Sequence, residues 1–470
     1  MNNLNVKFIK KAGICYLIGN LFNTGMSFLT VPIFTRILSP SDYGIVTTYN
    51  SWITILSMMI GCAMHMGIRL AFNDYREEIN DFMSVITTFI LEYGCLICVF
   101  IGISLLSVGI SFGSGLILVC VIHGLASALL QNYSMYLMMQ FKYIERTAMM
   151  VLPNLLSVVF SIMVIQFVLK SDFYLGRIIP TALVTVVFAI WTVILIYYKS
   201  RMFHKREYLK YALKISTPLV LHGIALNLLA QSDRTMITWL ADPYQTGIYS
   251  LVYNFSMIAT VLTTSLDGVW VPWFTEQLKN RGIAKINILS KDYINLMTYS
   301  IVSVTLVGPE VVKLLASERY WEGIRIIPPI VLANYLIFAY TLYVNVEHFH
   351  KKTLYITINT IIAAVTNIVL NYVLIPKYGY VAAAYTTLFS YFFAFVLHSQ
   401  YAKKLERELY PMKAFLNPLF QISVMIAIFY VFMEMWMVRW GIIAAYILVV
   451  FYINKNRICT LFPFLKYGRE

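Results

Sequence analysis

The sequence is poor in charge and contains no long polar stretch. Only 12% of its 470 residues are Asp, Glu, Lys or Arg, against about 25% in soluble globular chains. Hydrophobic residues make up 60% and the mean hydropathy is +0.72. That much apolar surface has no place to hide in a water-soluble fold, so the composition excludes one and points to an integral membrane protein. Cysteine is equally uninformative as a framework. The six cysteines, Cys15, Cys62, Cys95, Cys98, Cys120 and Cys459, have no disulfide or metal-ligand spacing, and all but the last lie in apolar runs. No phosphate-cradling glycine loop, paired-carboxylate motif, Ser–His–Asp order or zinc spacing is present. The "EHFH" stretch at Glu347–His350 reads as the end of a span rather than as a metal site, and no cofactor is expected. Acidic residues are the scarcer sign, 22 against 36 basic, leaving a net charge of +14. In a soluble chain that would suggest nucleic acid. Here the basic residues cluster in short loops, so they read as topology signals and no nucleic-acid partner is expected.

What is present is a succession of apolar segments. A span needs about 20 apolar residues, and by that rule roughly fourteen candidates occur. They begin near Gly13, Tyr43, Phe82, Phe112, Thr147, Tyr174, Ile215, Gly247, Tyr293, Ile326, Thr353, Gly379, Phe415 and Trp440. No segment between spans exceeds about 20 residues, which leaves no room for a soluble domain. The start, "MNNLNVKFIKK", is short and basic and leads directly into the first span, so no cleavable signal is expected. Most Lys and Arg fall on one side if both termini are cytoplasmic, with the richest cluster in "YYKSRMFHKREYLKYALK" between spans six and seven.

That basic stretch divides the chain. The expected organisation is a six-helix bundle over 1–198, a basic cytoplasmic linker over 199–214, a second six-helix bundle over 215–401, and a loop, two extra helices and a tail over 402–470. The two bundles show faint self-similarity. "RILSPSDYGIV" joins spans one and two, and "TWLADPYQTGIY" joins spans seven and eight. Pro40, Gly44 and Ile45 match Pro243, Gly247 and Ile248 at equal spacing. Six spans is an even number, so both halves run in the same direction, a parallel repeat about the membrane normal.

Polar residues inside the spans form stripes. Span one carries Asn20, Asn23, Thr24 and Ser27; span two Asn50, Thr54, Ser57 and Gly61; span seven Asn227, Gln231 and Arg234. At about 100° per residue each set shares one helix face, which serves either helix packing or a wet cavity. Ionised residues need more explanation, because Asp or Arg at mid-helix costs on the order of 3 kcal/mol. Asp233 and Arg234 are neighbours and point about 100° apart, so they cannot pair well with each other. They need two partners on other helices, or one partner and one cavity. Arg234 lies about 9 Å from the outer end of its helix, and snorkelling is its alternative. Asp233 shares a stripe with His222. Asp267, Glu92, His123 and Glu310 are further ionisable candidates within spans.

The stretch "YLIGNLFNTGMSFLTVPIFTRILSPSDYGIVTTYNSW" resembles the opening of polysaccharide-repeat-unit flippases of the multidrug/oligosaccharidyl-lipid/polysaccharide exporter superfamily. "AQSDRTMITWLADPYQTGIYSLVYNFSMI", "PEVVKLLASERYWEGIRIIPPI" and "NIVLNYVLIPKYGYVAAAYTTL" resemble the family's seventh-to-eighth, ninth-to-tenth and eleventh-to-twelfth segments. In the last, Val381, Ala382 and Ala383 stand where many relatives have Gly-Ala-Ala. The resemblance implies an all-α protein with two pseudo-symmetric six-helix bundles and two additional helices. It implies a flippase rather than an enzyme, in the bacterial cytoplasmic membrane. The substrate implied is an undecaprenyl-diphosphate-linked oligosaccharide, moved by alternating access for capsule, O-antigen or exopolysaccharide synthesis. A proton or sodium counter-ion and a polysaccharide polymerase are the further partners.

Within that expectation Arg234 offers a planar fork to a diphosphate or acidic sugar, and Asn20, Asn50, Asn227 and Gln231 offer partners to a glycan. Asp233, Asp267, His222 and Glu92 are candidates for charge balance or ion coupling. The rival readings are a cation-coupled drug antiporter or a lipid II flippase of the same superfamily. A membrane glycan polymerase or acyltransferase would instead place acid–base residues in a sizeable outer loop.

Overall fold

A computed structural model of the protein describes residues 26, 30–108 and 112–461. Among these residues every regular element is helical. The end of a first helix, α1, is described over 30–37. There follow α2 (Pro40–Gly61), α3 (Met64–Asp74), α4 (Ile79–Val108), α5 (Phe112–Met139), α6 (Tyr143–Phe167), α7 (Phe173–Lys199), α8 (Arg206–Leu240) and α9 (Pro243–Lys279). Then come α10 (Ile283–Leu315), a 3-10 segment (Glu318–Ile326), α11 (Ile327–Phe349), α12 (Thr353–Leu405), α13 (Lys413–Val431) and α14 (Trp436–Leu461).

Nine of the described helices are long and apolar enough to cross a membrane, or ten if the bent pair α2–α3 counts as one span. The fourteen expected spans map onto these elements. The span expected from Gly13 lies largely outside the described residues. The two expected from Ile215 and Gly247 lie in α8 and α9. Two more are joined in α12. Its 53 residues would reach about 80 Å as one straight helix, far more than a bilayer of about 30 Å. Gly379, at φ 60° and ψ −148°, breaks it in two. Only glycine takes that conformation without strain.

The two sequence-matched turns have the same build. In the first, Ser39 caps α2: its hydroxyl accepts from the Asp42 amide at 3.1 Å, while the Asp42 carboxylate accepts from the Ser39 amide at 3.2 Å. In the second, Asp242 caps α9 by accepting from the Gln245 amide at 2.8 Å, and the Gln245 side-chain amide donates back to Asp242 at 2.9 Å. Each helix then opens with proline, which needs no amide partner there. The two turns also meet each other. A Cβ on Gly44 would stand 1.9 Å from the Pro243 carbonyl oxygen, and one on Gly247 would stand 2.0 Å from the Pro40 carbonyl oxygen. One turn further on, Thr47 donates to Ser250 at 3.0 Å, again an equivalent pair, 203 residues apart. Small residues let the two backbones touch.

By backbone proximity the chain forms two compact units, Met1–Ser250 with Thr360–Ala383, and Leu251–Asn359 with Ala384–Glu470. The first has an apolar core of Ile60, Met64, Phe82, Ile86, Val121, Ala128 and their neighbours. On it the basic 199–214 stretch is tied down. Lys205 lies 3.0 Å from Glu78. Tyr208 donates to Glu78, Tyr211 to Asp74 and Ser200 to Asp81. Burial first, and Asp74 second, push the Tyr211 hydroxyl up to about 12, so it remains a donor at physiological pH. In the second unit, aromatic contacts such as Tyr293–Phe338 and Tyr343–Tyr410 fill the core. There Arg439 of α14 donates to the Leu306 carbonyl at 2.9 Å and to Glu310, anchoring the last helix to α10.

Candidate functional site

The two ionised neighbours on α8 are both buried, Asp233 at 0% and Arg234 at 4% exposure. They part company at once, as their helical angle requires. Asp233 is held by donors from two other segments. The Tyr249 hydroxyl donates to one carboxylate oxygen at 2.6 Å, and the Asn371 side-chain amide donates to the other at 2.6 Å. Asn371 also donates to Asn367 one turn earlier on α12, at 3.1 Å, and Ser232 donates to the same Asn367 oxygen at 3.3 Å. Tyr249, Asn367 and Asn371 are fully buried. A buried carboxylate is thus met by neutral hydroxyl and amide donors, which stand in for water around its charge.

Arg234 bonds to the preceding turn of its own helix, and through Gln231 to α2. Its Nη1 donates to the Ala230 carbonyl at 3.1 Å and to the Gln231 side-chain oxygen at 2.7 Å. Ser51 on α2 donates to that same Gln231 oxygen at 3.2 Å. A threonine ladder continues toward the helix end: Thr48 lies 2.7 Å from Thr238, which lies 2.8 Å from Thr246. Gln245 extends the polar network to the break in α12. Its side-chain oxygen accepts from the Tyr380 amide at 3.0 Å, and a Cβ on Gly379 would stand 2.0 Å from that oxygen.

Residues 9–278 match the family described as polysaccharide biosynthesis protein. The chain belongs to that family. Among curated proteins, this polysaccharide biosynthesis protein is similar to an uncharacterised membrane protein of Haemophilus influenzae. The two are 22% identical over 358 residues, 74% of this chain and 85% of the relative. It is also similar to the Lsg locus putative protein 1 of Haemophilus influenzae, at 21% over 285 residues, 58% of this chain and 67% of the relative. Among solved structures it is similar to the lipid II flippase MurJ in an inward closed conformation, with TM-score 0.72 and 14% identity over 95% of this chain and 100% of that one. An inward-facing multidrug resistance MATE transporter of the MOP superfamily aligns with TM-score 0.63 and 14% identity over 84% of this chain and 99% of that one. These likenesses establish the fold.

The residues singled out in the sequence of this family member fall into several places. Gln231, Arg234 and Asp233 belong to the networks just described. Asn227 sits one turn before Gln231 and donates to the Gly223 carbonyl at 2.9 Å. Asn50 is exposed on α2, one residue before Ser51. Glu92 is exposed on α4 and lies 2.8 Å from His204 of the basic stretch, apart from the Asp233 cluster. Asp267 accepts from the Tyr293 hydroxyl at 3.2 Å within the second unit. His222 lies on α8, but its side chain, like the whole of Asn20, lies outside the described residues. The partners of Asp233 escaped sequence reading. The available signal was the pair Asn367 and Asn371, four residues apart in the apolar run "NIVLNYVLIP", which shares a helix face by spacing.

Proposed function

We propose that this protein is a flippase, rather than an enzyme, that turns diphosphate-linked polyprenyl oligosaccharide units from the inner to the outer leaflet of the bacterial cytoplasmic membrane. The units feed a polymerase that makes capsule, O-antigen or exopolysaccharide. The observation that carries this reading is the buried Asp233–Arg234 pair on α8, split between two polar networks, in a chain of the polysaccharide biosynthesis family. Arg234, with Gln231, Asn227 and Asn50 along the facing stripes, contacts the diphosphate and the first sugars. The lipid tail stays in the bilayer. Asp233, in its setting of Tyr249, Asn367 and Asn371, binds the coupling cation or proton, with Asp267 balancing charge. Alternating access moves residues 1–198 against 215–401 about the basic 199–214 linker, with both termini cytoplasmic.

Deletion of the gene in its host tests this. The expected outcome is loss of surface polymer together with accumulation of complete lipid-linked repeat units inside, restored by the wild-type gene. Normal polymer with altered drug sensitivity would overturn it in favour of an antiporter. Loss of cell-wall precursor export with normal polymer would favour a lipid II carrier.

A further inference from the structure

The first unit carries a cluster of cations that the networks around α8 do not use. Three of its spans have an end there: α5 stops at Met139, α6 starts at Tyr143 and α7 stops at Lys199. Lys199 Nζ donates to the Tyr136 hydroxyl at 3.4 Å and lies 5.1 Å from the centre of that ring. Lys142, in the turn before α6, interacts electrostatically with the same hydroxyl, which itself donates to Asn80. Arg201 follows two residues after Lys199, in a connection that the fold holds in place. The Ser200 hydroxyl donates to Asp81 and accepts from the Met202 amide at 3.2 Å. Phe203 packs edge-on against Tyr197 of α7, with ring centroids 5.3 Å apart.

These cations are left over once the local carboxylates are satisfied. Glu78 is taken by Lys205 and Tyr208, Asp81 by Ser200 and Glu92 by His204. Glu145, in the first turn of α6, is exposed and offsets only one of them. Among the described residues Lys142, Lys199 and Arg201 form no ion pair. Beside them stand large apolar side chains turned outward: Ile144 is 66% exposed, Tyr198 87% and Phe203 46%. Cations interleaved with exposed aliphatic and aromatic groups at span ends match the boundary between headgroups and acyl chains. The depth of the connection agrees with that boundary. Glu92, the partner of His204, heads the exposed apolar stripe Leu96, Val99 and Ile103 on α4, so the connection lies where lipid begins. From the same end, exposed apolar stripes run along α6 (Leu152, Val159) and along α7 (Ile194, Val187), a surface for acyl chains.

We propose that Lys142, Lys199 and Arg201 hold the headgroup phosphate of an anionic phospholipid whose chains lie along α6 and α7. A bulk membrane lipid is favoured over a diphosphate-linked cargo because the cluster opens onto outward apolar stripes, apart from the Arg234 network. The inference goes beyond the flippase reading and does not depend on it. The test is native mass spectrometry of the purified full chain, titrated with phosphatidylglycerol or with phosphatidylcholine of the same chains. The wild type is expected to bind its first phosphatidylglycerol roughly tenfold more tightly or better than phosphatidylcholine. Lys142→Gln, Lys199→Gln and Arg201→Gln should each weaken that binding about fivefold, the effect of about 1 kcal/mol per cation. The triple variant should lose the preference, and Lys142→Arg should keep it. A control triple in the second unit, Lys351→Gln, Lys352→Gln and Lys404→Gln, should leave it unchanged. If the triple at Lys142, Lys199 and Arg201 does not fold, the single variants decide. Wild-type preference in these variants overturns the proposal. Equal loss in the control triple also overturns it, because the basic surface is then diffuse. Undecaprenyl diphosphate that displaces the first phosphatidylglycerol at equal concentration would assign the cluster to the cargo and overturn it as well. The flippase reading stands under each of these outcomes.

Discussion

The turn at Ser39–Thr47 and the turn at Asp242–Ser250 share their architecture, yet the helices that lead into them do not share their chemistry. Both turns have a side-chain cap, a leading proline, a glycine at the crossing and a hydroxyl at the next contact. At the same 203-residue interval, however, Asp233 and Arg234 correspond to Thr30 and Val31. The duplicated part is the part that needs only small residues and caps. The unduplicated part is the ionised pair, which brings its own partners: Tyr249, Asn371 and Asn367 for Asp233, and Gln231 with Ser51 for Arg234. The lesson is that scaffold and site are separable here, one repeated and the other present in a single copy.

Breaking the shared scaffold should have the largest effect. Gly44→Ala or Gly247→Ala drives a Cβ into a facing backbone carbonyl, which cannot rotate away. Each should cost about 3 kcal/mol or more and reduce the yield of monodisperse protein in size-exclusion chromatography. A wild-type profile for both would mean that the crossing is looser than the geometry states. Next comes the unduplicated carboxylate. Asp233→Ala strands the buried Asn371 and Tyr249 donors and should cost about 2–4 kcal/mol in addition to function. Asp233→Asn fills the same space, so it should fold but fail to restore surface polymer. If Asp233→Asn complements fully, Asp233 is a packing residue like its counterpart Thr30.

Arg234 is expected to show a smaller, graded effect. Arg234→Lys keeps the charge but loses the fork, and should lower polymer export roughly tenfold, equivalent to about 1.4 kcal/mol. Arg234→Ala should abolish export, and full activity in both would remove Arg234 from substrate contact. The smallest effect concerns the second turn's added reach. Gln245→Ala removes the acceptor for the Tyr380 amide and should lower thermal stability by about 1 kcal/mol, whereas the equivalent change at Asp42 affects only its own cap. A melting curve of each variant distinguishes the two.

Much of the architecture was legible because its signals are local. The spans follow from runs of about 20 apolar residues, and the paired turns follow from Pro40–Gly44 and Pro243–Gly247. The need for separate partners followed from the angle between adjacent residues on α8. The partners themselves were not legible. Asn371 is 138 residues from Asp233, and an asparagine in an apolar run looks the same whether it packs, lines a cavity or holds a carboxylate. Glu310 stood out as an intramembrane charge, but nothing near it in sequence names Arg439, 129 residues away. Glu92 stood out for the same reason, and on α4 it reaches His204 at the exposed surface. Glu347 read as the end of a span, and only its meeting with His398, 51 residues away in sequence, makes it one of a buried pair.

By itself the sequence determined the solvent: with so little charge and so much apolar surface, these residues have to form helices that satisfy their own backbone inside a bilayer. It also marked the two matched turns, because caps, prolines and glycines act over a few residues. Only the tertiary structure decided which polar side chains share a site. The bonds that hold Asp233 and Glu310 are made across helices, so their energy depends on packing that no window along the chain contains.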